Sequence, residues 1–174
     1  MAWIGSQAPE WCTTAHHGGE EVELSNADYL GKWYVLYWYP LDFTFVCPTE
    51  IRGFQAMLGD FQAEGVEVIG ASTDSFFSHE AWFSDREIFP DAVTHPVIAD
   101  TNHSVSRAFE VLKEDQGVAY RATAIVDDQG VLRSLSVNDL SAGRSPTEVL
   151  RTVQALKSGG LCAADWKQGD AFVG

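Results

Sequence analysis

The sequence predicts one α/β domain. Three observations point to it: strand-like and helix-like segments alternate along the 174 residues, no internal repeat or low-complexity tract interrupts them, and hydrophobic residues reach 45% against 21% charged. A chain of that length buries a full core without disulfides.

Trp33 to Pro40, WYVLYWYP, is a continuous aromatic and branched run of strand length, the pattern of a strand buried on both faces, and it is expected at the centre of the sheet. After Pro48, residues Ile51, Phe54, Met57, Leu58 and Phe61 recur at helical spacing, and Gly65 offers a stop. Val66 to Thr73 reads as the next buried strand, followed by a helix in DSFFSHEAWFSD with Asp74 or Ser75 as its N-cap. Ala122 to Val137 reads as a hairpin around Asp127, Asp128, Gln129 and Gly130, the glycine supplying the positive φ of a tight turn. A last helix is outlined by Ser145 as N-cap, Pro146 at the first helical position, Glu148 in the first turn and a Gly159-Gly160 stop. Leu161 to Gly174 has no regular pattern, so the expected division is a domain over 1–160 and an arm over 161–174 that carries Cys162.

Lys and Arg number 11 against 25 Asp and Glu, a formal charge of -14 with no basic cluster, which argues against nucleic acid or an anionic membrane as a partner. The N-terminal MAWIGSQAPEW lacks the basic and apolar regions of a secretory signal, and no apolar run approaches bilayer-spanning length. A cytoplasmic protein is expected. The three cysteines, Cys12, Cys47 and Cys162, are widely spaced with no C-x-x-C pair, which suits a reducing compartment and at most a catalytic use.

Cys47 stands directly before Pro48, at the end of the run YPLDFTFVCPTE. Proline is favoured at the first helical position, because its missing N–H would be unpaired there anyway, and it disfavours the α region for the residue before it. Both effects put Cys47 at a helix start, where unpaired N–H groups and the helix dipole favour a thiolate. An inert buried cysteine is the competing reading. Thr44 places a hydroxyl three residues before the sulfur, to face the same pocket or to cap its own loop. The apolar character of the run suggests interior sequence that excludes water around the sulfur.

YPLDFTFVCPTE resembles the active-site segment of the peroxiredoxins, and within them the typical two-cysteine group that contains the alkyl hydroperoxide reductase C-subunits. STDSFFSHEAW, HPVIADTNHSVSRAF, RATAIVDDQGVLRSLSV and GRSPTEVLRTVQAL resemble later segments of that family in the same order, so the likeness covers nearly the whole chain. A lone P-x-x-x-T-x-x-C arises by chance, whereas the ordered set is specific. The resemblance implies a thioredoxin-like fold with peroxiredoxin additions, a central mixed β-sheet flanked by helices, and a thiol-dependent peroxidase.

It also implies roles. Cys47 would attack the hydroperoxide, Pro40 would shield the sulfur, Thr44 would hydrogen-bond the peroxide, and Arg121 would contact both thiolate and peroxide. Taken alone, Arg121 reads as a surface charge at a strand end, and Glu50 and Arg144, implied as a supporting pair, read as an ordinary ion pair. Cys162 resembles the resolving cysteine, with Trp166 also matching and Ala163 standing where the family has proline. The implied disulfide joins Cys47 to Cys162 of a partner subunit in a homodimer, commonly five dimers to a ring. No metal, haem or flavin is implied, since the sulfur carries the redox chemistry. The reductant would be a dithiol protein, thioredoxin-like or a flavoprotein disulfide reductase. A one-cysteine peroxidase resolved by an external thiol, and a ring acting as holdase chaperone or redox relay, stay open as alternatives. The sequence lacks the Gly-Gly-Leu-Gly insertion and terminal Tyr-Phe helix that in the family slow unfolding of the active-site helix, so resistance to overoxidation is expected. Cys12 matches no catalytic position and reads as part of a loop with His16 and His17, while His79, His95 and His103 read as structural.

Acidity alone does not make such a site. Lowering a thiol pKa from about 8.5 to about 6 raises its thiolate fraction at pH 7 roughly 30-fold. A Brønsted slope of about 0.4 to 0.5 then takes back roughly 10- to 20-fold in nucleophilicity. The larger effect has to come from aligning the O–O bond with the sulfur and stabilising charge on the leaving oxygen.

Overall fold

A computed structural model of the chain describes residues 3–174. The chain opens with a hairpin, β1 (Cys12–His17) and β2 (Glu20–Ser25), turned by Gly18 and Gly19 at positive φ. A 3-10 turn, Asn26–Tyr29, leads into β3 (Trp33–Trp38), which is followed by α1 (Cys47–Ala56), α2 (Leu58–Ala63), β4 (Val66–Ser72) and α3 (Phe76–Phe83). Then come β5 (Val97–Ala99), α4 (Ser104–Ala108), the short pair β6 (Leu112–Lys113) and β7 (Val118–Ala119), β8 (Arg121–Val126), β9 (Leu132–Asn138) and α5 (Pro146–Ser158).

Seven strands form a mixed sheet in the order β2-β1-β5-β4-β3-β8-β9, with β3, β4 and β5 parallel and the remaining neighbours antiparallel. β3 lies inside the sheet between β4 and β8, as its unbroken apolar run requires. Side chains alternate across a strand, so Tyr34, Leu36 and Trp38 enter one core and Val35, Tyr37 and Tyr39 enter the other. The second core also holds Cys47, Ile51 and Phe54 of α1, Trp82 and Phe83 of α3, and Val149 and Val153 of α5. The functional side of the sheet is thereby set by the parity of β3.

The caps fall where the sequence places them. Ser75 accepts the Ser78 N–H, Ser145 accepts the Glu148 N–H, and Gly65, Gly130 and Gly159 all have positive φ. Two expectations are corrected. The helix after Cys47 is broken at Met57 (φ -102, ψ 6) into α1 and α2. Cys12 begins β1, an interior strand between β2 and β5, instead of lying in a loop. The hairpin escapes sequence reading because its alternation is brief: in β2, EEVELS, only Val22 and Leu24 mark a period, and both pack against the core while three of the six residues are exposed. Among the described residues no helix is long and apolar enough to cross a membrane.

Candidate active site

Beyond β3 the chain passes buried Tyr39 and Pro40 into a loop that delivers Cys47 to α1. Asp42 anchors this loop. Its carboxylate accepts hydrogen bonds from the Tyr39 hydroxyl and the Ser78 hydroxyl, each at 2.8 Å, and pairs with His79 Nδ1 at 2.8 Å. Its backbone N–H donates to Asp74 Oδ2 at 2.9 Å. Asp74 is itself held by the Ser72 hydroxyl, and burial followed by the Asp42 charge pushes its pKa up from the ordinary carboxylate value. Phe43 turns through φ 55, a left-handed conformation costly for an aromatic residue, which the Asp42 contacts on its N-terminal side hold in place.

The run is not the interior it resembles. Leu41, Phe43 and Phe45 are 39%, 62% and 94% exposed, while Tyr39, Asp42 and Cys47 face inward. Sequence hydrophobicity does not reveal this, because the turn at Phe43 sends large apolar side chains outward and brings in an acid.

Cys47 is the first residue of α1 and has no accessible surface. The helix begins one residue earlier than Pro48 suggests. The Val46 carbonyl accepts the N–H groups of Thr49 at 3.0 Å and Glu50 at 3.4 Å, winding Cys47 and Pro48 into the first turn. Arg121, first in β8 and 5% exposed, donates from Nη1 to Cys47 Sγ at 3.4 Å and to Glu50 Oε2 at 2.6 Å. Its Nε donates to the Leu140 carbonyl at 2.7 Å, so the guanidinium is fixed from two sides. The other Glu50 oxygen accepts the Arg144 backbone N–H at 2.9 Å and its Nε at 3.0 Å. Arg144 Nη1 donates to the Trp38 and Ala122 carbonyls, and its guanidinium lies over the Tyr37 ring, 5.3 Å from the centroid. Burial pulls the pKa of Arg144 below its ordinary value, and the Glu50 charge opposes that shift. Its Nη2 is buried without a partner among the described residues, leaving a spare donor in the site.

Thr44 is half-buried and donates its hydroxyl proton to the Leu41 carbonyl at 2.9 Å, which leaves the oxygen lone pairs to accept a hydrogen bond. Cys47, Glu50, Arg121 and Arg144 are therefore in direct contact, with Thr44 and Pro40 on the loop that leads into them. Cys162 is not brought to this cluster in the single chain. It lies beyond α5 with Sγ 3.3 Å from the Ser158 hydroxyl, and both thiols are free. Trp166 is 4% exposed, and its carbonyl accepts from Arg151 of α5 at 3.0 Å. Cys12 is exposed, while His16 is buried and turned to Glu80 at 2.8 Å. Among the described residues no group of three or more His, Cys, Asp or Glu side chains is placed to hold a metal.

Sequence reasoning missed Asp42 and the role of His79. One signal was available: an acid inside an otherwise apolar run is costly to bury unless paired, which calls for a partner such as the histidine on the apolar face of α3. Chemically, the site offers a buried sulfur nucleophile, a fixed guanidinium against it, and a hydroxyl acceptor on the adjoining loop. That arrangement suits attack on a small electrophile that leaves as an anion.

The chain is similar to known proteins over nearly its whole length. A family model described as AhpC/TSA family matches residues 4–135. The chain is 48% identical over 178 residues to peroxiredoxin prdx-2 of Caenorhabditis elegans, covering 99% of this chain and 89% of that protein. It is 47% identical to peroxiredoxin-2 of Mus musculus, covering 99% and 90%. The reduced 2-Cys peroxiredoxin of Plasmodium vivax superposes with a TM-score of 0.94 at 34% identity, covering 99% of this chain and 93% of that one. AhpC of Enterococcus faecalis superposes at 0.88 and 35% identity with full coverage of both chains.

Proposed function

Because the chain belongs to the AhpC/TSA family and is a peroxiredoxin, a thiol-dependent peroxidase, we propose a two-cysteine peroxidase cycle centred on Cys47. The observation that carries it is a thiol with no accessible surface, at the first residue of a helix, with Arg121 Nη1 3.4 Å from the sulfur.

In the first step the Cys47 thiolate attacks the nearer oxygen of a hydroperoxide. The S–O bond forms as the O–O bond breaks, and the electron pair goes to the leaving oxygen, which takes a proton and departs as water or alcohol. Cys47 is left as a sulfenic acid. Arg121 stabilises the sulfur anion and then the charge on the leaving oxygen, Thr44 accepts the peroxide O–H, and Pro40 closes the pocket beneath the sulfur. Glu50 and Arg144 keep Arg121 in register. In the second step the Cys162 thiol of a partner subunit attacks the sulfenic sulfur, expelling water and forming an intersubunit disulfide. A dithiol protein then reduces that disulfide by exchange, which places the cycle in a reducing compartment such as the cytoplasm.

The 161–174 arm follows α5 through Trp166 and carries Cys162 to the partner. Leu132, first in β9, bonds through its N–H and carbonyl to Ser6 and Gly5, and beyond it the outer edge of this last strand would let a second copy add its own β9. The test is non-reducing electrophoresis after one equivalent of peroxide. Wild type gives a covalent dimer and Cys162→Ser does not. A dimer that persists in the variant, or never forms in wild type, rejects the intersubunit cycle in favour of a one-cysteine enzyme with an external thiol.

A further inference from the structure

Arg144 reaches the sulfur only through its neighbours. Its backbone N–H and Nε hold one oxygen of Glu50, the other Glu50 oxygen holds Arg121, and Arg121 donates to Cys47 Sγ. Nη1 of Arg144 is tied to the Trp38 and Ala122 carbonyls, just past the Tyr37–Thr123 pair that ends the β3–β8 ladder. Nη2 has no partner among the described residues, although the side chain is only 4% exposed. A guanidinium nitrogen can only donate, so a buried Nη2 calls for an acceptor.

A second unpaired polar atom lies on the same face of the sheet. Thr123 Oγ1 is buried and has no partner among the described residues. Thr123 stands directly opposite Tyr37 in the β3–β8 register, which brings their Cβ atoms to about 5 Å. It is two residues from Arg121 in β8, so both side chains project to the side that carries Cys47. Arg144 lies over the same Tyr37 ring and binds the carbonyl of the residue before Thr123. The unpaired donor and the unpaired hydroxyl therefore converge beside the arginine pair. Packing alone would be met by valine, which has nearly the outline of threonine and no hydroxyl to desolvate. Threonine costs stability at such a position unless its hydroxyl is bonded.

We propose that Thr123 is a positioning residue for the peroxide step: one buried water, accepting from Arg144 Nη2 and bonded to Thr123 Oγ1, completes the hydrogen bonds of Arg144 and so holds the line through Glu50 and Arg121 to the sulfur. A buried water needs at least two polar partners, and these two atoms supply them. A fully bonded polar network is rigid, and rigidity is what Arg121 requires to meet first the sulfur anion and then the leaving oxygen. The proposal rests on attack by Cys47 and is independent of how the sulfenic acid is resolved.

The test compares full-length wild type with Thr123→Val, which keeps the outline and removes the hydroxyl, and Thr123→Ser, which keeps the hydroxyl. Stopped-flow fluorescence of the reduced protein gives the peroxide step, urea denaturation gives stability, and crystal structures show the water. Thr123→Val is expected to slow the peroxide step about fivefold, the factor one buried hydrogen bond is worth, with Thr123→Ser within about twofold of wild type. Thr123→Val should also unfold at lower urea, and the wild-type crystal should hold one ordered water within hydrogen-bond distance of both atoms. An idle hydroxyl gives the opposite pattern: Thr123→Val unfolds at higher urea and reacts with peroxide as fast as wild type. That pattern, a serine variant as slow as the valine one, or a wild-type crystal with no water touching both atoms overturns the proposal. The serine variant and the wild-type crystal decide it even where Thr123→Val does not fold. Absence of a disulfide in oxidised wild type rejects the two-cysteine cycle and leaves this comparison intact, because the peroxide step precedes resolution.

Discussion

Glu50 sits between two guanidinium groups that would otherwise face one another in a buried space. Its two oxygens divide the work, Oε2 to Arg121 and Oε1 to Arg144, and both ion pairs are almost wholly shielded from water. Replacing it by glutamine removes the charge that pairs two buried cations, a loss of about 3 kcal/mol or more by analogy with other broken buried pairs. Glu50→Gln is expected to unfold at clearly lower urea and to react with peroxide at least tenfold more slowly, because Arg121 is no longer aimed at the sulfur. A variant with wild-type peroxide kinetics would remove Glu50 from the positioning scheme. Little of this was legible locally: Arg121 on its own reads as a strand-end charge, and Cys47 and Arg121 lie 74 residues apart in the chain. The sequence exposes Arg121 as a site residue only through its place in an ordered family pattern.

At the scale of elements, the site depends on how β3 and β4 lie side by side. Tyr37 of β3 is paired with Gly70 of β4, and a Cβ on Gly70 would come within 2.9 Å of the Tyr37 hydroxyl and 3.2 Å of Val97 Cγ2. Tyr37 has no room to yield, since its ring carries Phe54 on one contact and Arg144 on another. Gly70→Ala is expected to cost about 1–3 kcal/mol through overpacking, read from its denaturation midpoint, with Tyr37→Phe in the same chain recovering part of the loss. No loss in the single variant would mean that the two strands shift apart without penalty. Strands β3 and β4, the β8–β9 hairpin and helices α3 and α5 were legible in sequence because periodicity, caps and turn glycines agree there. β5, with three residues, and α4, with five, are too short to show a period, and they form because neighbouring elements pair with or cover them.

For the molecule as a whole, the exposed aromatic side chains raise the question of what covers them. Phe43 and Phe45 on the loop and Phe77 on α3, 75% exposed, belong to segments tied together through Asp42, Ser78 and His79. Under the proposed two-cysteine cycle this face would be covered by a further copy of the chain, one other than the partner that supplies Cys162, because large apolar side chains grouped on a surface mark an interaction site. In the ring of dimers that the family resemblance implies, β9 would pair within a dimer and the aromatic face would lie between dimers. Phe77→Asp is expected to sediment as a dimer where wild type runs as a larger assembly, while still forming the intersubunit disulfide. A wild type that is only dimeric at micromolar concentration rejects the aromatic contact.

The sequence by itself determined the α/β class, the buried β3 strand, the helix start that carries Cys47, and the ordered motifs that mark a peroxiredoxin. These are properties of neighbours in the chain, set by side-chain period, capping chemistry and the fixed φ of proline. Tertiary structure alone decided that Phe43 and Phe45 face outward, that Asp42 and His79 hold the loop between them, and that Glu50 links two distant arginines to one sulfur. The reason is that burial, ion pairing and close approach depend on which segments meet across the sheet. A side chain's polarity states its preference, and only its neighbours in space determine whether that preference is met.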